Sequence, residues 1–135
     1  MMLNRRHIRV KVMQTMYAFK GSESDDFSKD QKFLLFSIDN MYNLYLLLLS
    51  LLIEVQKRAE SDLQKKQKKH LATKEDKDPN RKFVNNQLLK FLKDNDQLKG
   101  KLEAHNITNW DLDSEYVHII FKNIIASDLY KNYMN

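Results

Sequence analysis

The 135-residue sequence predicts an all-α fold, a helical bundle with a long central helix. Three observations carry this. The chain holds only two glycines and one proline, whereas sheets need many turns and turns draw on these residues. Apolar residues recur at spacings of three and four in segment after segment. Finally, the run Leu44–Ile53 is apolar on every side, the pattern of a helix surrounded by others.

The first predicted helix runs from Arg5 to Phe19 or Lys20, with Asn4 as N-cap and Gly21–Ser22 as its end. Ile8, Val12, Met16 and Phe19 form one apolar stripe, and Val10, Met13 and Tyr17 a second, so this helix is expected to be mostly embedded. Residues 21–27 read as a polar, acidic loop. A long helix comes next, with Ser28 and Gln31 at capping-box spacing, and can continue to about Lys69. Leu48, in its apolar middle, is expected in the core. The stretch Phe33–Val55 is long enough to cross a bilayer, but Asp39, Asn40, Asn43 and Glu54 interrupt it, which favours a soluble bundle. Beyond Lys57 the helix turns charged, with Glu54–Arg58 and Asp62–Lys66 at pairing distance and a lysine cluster at Lys65, Lys66, Lys68 and Lys69. Residues 71–82 read as a mobile loop. Shorter helices are predicted at 83–94, 96–105, 114–126 and from Ser127 to Met134, with Ile107 and Trp110 plugging the bundle between them. The whole of 1–135 is read as a single helical domain.

Several chemistries are hard to build from this composition. No cysteine is present, so disulfides, thiolate catalysis and cysteine-held metals are out. Two glycines so far apart cannot form a phosphate-cradling loop. His7, His70, His105 and His118 fall in different elements, and Asp111-Leu-Asp113-Ser-Glu115 lacks the turn glycine and terminal glutamate of a calcium loop. The expectation is a protein without catalysis, cofactor or metal. The N-terminus lacks the apolar core of a secretory signal, which points to the cytoplasm.

Charge is the more informative property. The formal net charge is +5. Residues 1–20 hold Arg5, Arg6, Arg9, Lys11 and Lys20 and no acid. Residues 57–82 hold ten basic and five acidic side chains, so the rest of the chain is net acidic. Three arginines in the first turns of a helix oppose its macrodipole, and Arg5 and Arg9 repel each other one turn apart. Selection for stability alone would place Asp or Glu there. Arginine forks beside open helix N–H groups make an anion site, and a phosphate backbone would relieve the repulsion.

The stretch Asn4-Arg-Arg-His-Ile-Arg-Val-Lys-Val-Met-Gln-Thr-Met-Tyr-Ala-Phe19 resembles the opening of NusB-family transcription antitermination factors. The shared pattern is Arg5, Arg6, Arg9, Gln14 and Tyr17. The resemblance implies an all-helical fold whose first helix binds single-stranded, boxA-like leader RNA. Arg5, Arg6 and Arg9 would contact phosphates and bases, and Lys11 is expected to bind RNA with them. Gln14 would reach a base edge, while Tyr17 would pack. It also implies the ribosomal protein NusE as partner and RNA polymerase as the assembly's indirect target. The likeness is close over residues 4–19. The rest of the chain resembles a longer branch with a helical insertion ending near Tyr130–Met134. The family's second-half signature is absent, Phe83-Val84-Asn85 being succeeded by Asn86-Gln87, so the surface for NusE is expected to lie outside residues 1–135. Two other readings stay open. A NusB-like RNA-binding domain can precede an rRNA methyltransferase domain, and a helical protein-interaction module could use the same arginines on an acidic partner.

Overall fold

The structure, a computed structural model, describes residues 4–22, 25–68, 73 and 77–135. Among these it has seven helices and no strand: α1 (Arg5–Gly21), α2 (Phe27–Gln67), α3 (Gln87–Asp94), α4 (Asp96–Ala104), α5 (Asn109–Leu112), α6 (Ser114–Ala126) and α7 (Asp128–Met134). The all-α class and the long central helix agree with the sequence. The chain divides into two compact units, Met1–Tyr45 and Leu46–Asn135, and α2 contributes to both. Of the expected loop at 71–82, residues 71, 72 and 74–76 lie outside the described residues, as do Lys69 of the lysine cluster and His70.

In the first unit, the Asn4 side chain accepts a hydrogen bond from the His7 N–H at 3.0 Å and starts α1 as expected. The Ser22 N–H donates to the Phe19 carbonyl at 3.2 Å and ends it. Phe19 of α1 and Phe27 of α2 meet edge to face, centroids 5.3 Å apart. That helix begins one residue before Ser28. The Asp26 carboxylate accepts from the Ser28 N–H at 3.1 Å, so Asp26 takes the capping role that spacing assigns to Ser28. An acid there also suits the positive end of the macrodipole.

Burial of α1 departs from expectation. Thr15 is its one buried residue, and Met13 and Tyr17 are 72% and 82% exposed. The reason is geometric: two apolar stripes span much of the helix circumference, and in this unit a single neighbouring helix can cover only one side. Phe33, Phe36 and Leu44 of α2 are exposed as well.

The second unit holds the core. Val55 and Ala59 of α2 cluster with Val84, Val117 and Phe121, and Leu51, Leu63, Phe83, Ile120 and Ile124 pack around them. The seam therefore lies beyond the apolar run rather than in its middle. Within the run Leu46, Ser50 and Ile53 are buried, whereas Leu48 is 53% exposed. Unbroken leucine hides which side faces inward. Past Val55 the mixture of small apolar and charged residues shows it.

Polar contacts fasten this core. The Gln56 amide, 2% exposed, donates to the Val84 carbonyl at 3.3 Å. The Trp110 indole N–H donates to Ser50 Oγ at 2.9 Å, tying the plug segment to α2 as expected. Glu60 receives both Arg81 at 3.5 Å and Lys93 at 3.3 Å. The i,i+4 pairs expected on α2 form differently. Lys57 reaches back to Glu54 at 2.7 Å, and Arg58 turns forward to Asp62 at 3.6 Å. The predicted helix at 83–94 starts only at Gln87, because Asn86 accepts from the Leu88 and Leu89 N–H groups and caps it there. Ser127 caps α7 through the Tyr130 N–H. Tyr130 stacks edge-on against Phe83, and burial pushes its phenol pKa above the usual value.

By length and composition α2 could cross a membrane. Only 17% of its most apolar window is buried within the structure.

Two stability outcomes are expected from this packing. Leu46→Ala should cost about 2–5 kcal/mol because its side chain is fully buried. Leu48→Ala should cost under about 1 kcal/mol, as exposed positions do. Urea unfolding of both variants checks the placement, and equal losses would contradict it. Gly100 lies inside α4, without positive φ and with open space where a Cβ would stand. Gly100→Ala should therefore stabilise the protein by about 0.5–1 kcal/mol, measured as a higher urea midpoint with unchanged slope.

Candidate functional site

The basic residues of α1 are placed by the helix repeat, about 100° per residue. Arg5 and Arg9 stand one turn apart on one side, and Arg6 is about 60° from Arg9. Val10, Met13 and Tyr17 continue the Arg6 side toward Lys20. All three arginines are exposed. Among the described residues no carboxylate pairs with any of them, and the first turn of α1 contains no acid. Their charge is therefore unneutralised within the described structure.

Arg6, Arg9, Val10, Met13 and Gln14 line one shallow groove of about 280 Å³. The groove combines two guanidinium forks, one side-chain amide and two exposed apolar side chains. An extended, negatively charged chain with flat apolar groups matches that mixture: the forks suit phosphates, the amide suits a hydrogen-bonding edge, and the apolar surface suits a base face.

Of the site residues expected from sequence, Arg6, Arg9 and Gln14 are brought together, with Arg5 exposed beside Arg9 at the start of the helix. Lys11 is not among them. It lies about 140° around the helix from Arg6, on the side where Thr15 is buried and where Thr15 Oγ1 donates to the Lys11 carbonyl at 3.0 Å. Lys11 itself is half-buried. Tyr17, which the resemblance assigns to packing, is instead exposed on the arginine side. Val10 and Met13, expected in a buried stripe, line the groove. Their register with the arginines is present in the sequence, Val10 lying four residues after Arg6 and Met13 four after Arg9, but their hydrophobicity argues for a core position.

The open N–H groups at the start of α1 are fewer than a bare helix end would offer. The Asn4 cap engages the His7 N–H, while the backbone donors at Arg5 and Arg6 have no partner among the described residues. The lysine cluster at the end of α2 includes exposed Lys65, Lys66 and Lys68.

No protein-family model, curated protein or solved structure matches this chain.

The cap gives a local test of how the arginines are held. Asn4→Ala should destabilise the start of α1 by about 0.5–2 kcal/mol. Amide exchange at His7 and Ile8 should quicken, while exchange at Val55 and Phe121 in the other unit stays unchanged. Uniform acceleration across both units would show that the cap is not a local device.

Proposed function

We propose that this chain is an RNA-binding, non-catalytic subunit of a transcription antitermination complex, acting in the cytoplasm on single-stranded, boxA-like leader RNA. The observation that supports this best is the exposed arginine cluster of α1, which pairs with no carboxylate among the described residues and is continuous with a groove containing Gln14, Val10 and Met13. Arg5, Arg6 and Arg9 take phosphates, Gln14 takes a base edge, and the apolar side chains with Tyr17 cover base faces. Lys11 contributes at most long-range field. Arginine on a helix start costs stability in the free protein, and that cost is relieved when phosphates arrive.

The mechanism is assembly. A single groove gives weak, salt-sensitive affinity. A second protein on the same RNA, NusE in the NusB-family reading, raises the effective concentration and makes the ensemble stable. That ensemble then acts on RNA polymerase. A second reading has a specific observation behind it: the many exposed apolar side chains of α1 and α2 also suit a protein partner, with the arginines facing its acids.

The test is a salt titration of RNA binding by fluorescence anisotropy, for the wild type and for the triple variant Arg5→Ala, Arg6→Ala, Arg9→Ala. Each lost phosphate contact should lower the log–log salt slope by roughly 0.7 for a single strand. Affinity should fall and helicity should stay the same or rise slightly, since like charges leave the helix start. Unchanged affinity and slope would remove the arginines from the proposal. Retention on an acidic protein in preference to RNA would favour the second reading.

A further inference from the structure

The chain as a whole is basic, yet one cleft in its second unit is lined by equal numbers of lysines and carboxylates. It measures about 430 Å³ and is lined by α2, the end of α3, α4 and residues 107–111. Ile53, Leu102 and Ile107 supply apolar lining. Trp110 lines it too, its indole fixed by donation to Ser50 Oγ at 2.9 Å and the Leu47 carbonyl at 3.3 Å. A cleft of this size with an apolar floor and a few placed charges is the ordinary form of a small-ligand site.

The charges decide which ligand. Three lysines line the cleft, and each is engaged with a carboxylate: Lys57 with Glu54 at 2.7 Å, Lys93 with Glu60 at 3.3 Å, which Arg81 shares, and Lys99 with Asp96 at 3.2 Å. Two carboxylates of the lining, Asp94 and Asp111, have no ion pair or side-chain hydrogen bond among the described residues. What remains open to a ligand is thus an apolar floor, an immobilised indole and two unmatched negative charges. An anion would meet here only cations that carboxylates already engage. A bare metal ion would find too few oxygen ligands and no use for the floor. An organic cation uses all three features: its charge meets Asp94 and Asp111, and its stem covers Trp110, Ile53 and Leu102.

We propose that this cleft binds an alkylammonium or guanidinium group carried on an apolar stem. Two sources share that chemistry, a free aliphatic polyamine and a lysine or arginine side chain of a basic peptide. The long-range field of a chain with net charge +5 repels cations, so capture at this place depends on local fit rather than on general attraction.

Trp110 is the only tryptophan, so its fluorescence reports on this cleft alone. Spermidine and a capped Lys-Leu-Arg peptide are titrated separately at about 0.15 M salt, with pentane-1,5-diol and magnesium chloride as controls. The expected result is a saturable fluorescence change with one or both cationic probes and none with the controls. Tighter binding of spermidine assigns the free polyamine as the source, and tighter binding of the peptide assigns a partner side chain. The double variant Asp94→Asn, Asp111→Asn, both sites being exposed, should keep the native circular dichroism and bind at least about tenfold more weakly. Glu115→Gln, outside the cleft, should bind as the wild type does. No saturable response to either cationic probe below roughly 10 mM, or equal binding by the double variant, overturns the proposal.

Discussion

The second unit depends on the seam where Val55 and Ala59 of α2 meet Val84, Val117 and Phe121. Small side chains on α2 let the facing valines and phenylalanine come close. The buried Gln56 amide then fixes the segment before α3 by its bond to Val84. Once that segment is fixed, Asn86 can cap α3, and the Tyr133 hydroxyl can reach both Asn86 and the Lys82 carbonyl. Arg81 and Lys93, both C-terminal to α2, converge on its Glu60. Each of these contacts needs the seam in place, because each joins elements that otherwise have no common register.

The fold class was legible because it rests on what is scarce. Few glycines and one proline leave little but helix, and the caps at Asn4, Asn86, Asn95 and Ser127 are short polar residues ahead of apolar periodic runs. The end points of α6 came directly from periodicity. Burial was less legible. In Leu44–Ile53 nearly every position is apolar, so the pattern carries no phase. Only the packing partners choose Leu46 and Ile53 over Leu48. The same holds for α1, where the sequence supports two apolar stripes and the structure buries Thr15 between more exposed neighbours. A threonine can be buried there because its hydroxyl bonds to the Lys11 carbonyl.

The candidate site was half legible. Arg5, Arg6 and Arg9 stand out because they oppose the helix macrodipole, a cost that sequence alone reveals. The groove beside them was not legible, since Val10, Met13 and Tyr17 read as core. Lys11 is close to the arginines in sequence, but the helix repeat carries it to another side. The Trp110 cleft was invisible for a different reason: its walls come from four separate elements, and its charge balance depends on which carboxylate each lysine selects.

The bond from Trp110 to Ser50 spans sixty residues of chain, and that from Asn80 to the Met134 carbonyl spans fifty-four. Helical proteins usually fold fast because their contacts are local. Here the turns of each helix form locally, but the second unit closes only when such distant segments meet, and the entropy of closing those loops must be met first. Its folding rate is then set by chain topology rather than by helix propensity. The ring contact between Phe19 and Phe27 in the first unit spans only eight residues and is free of that delay.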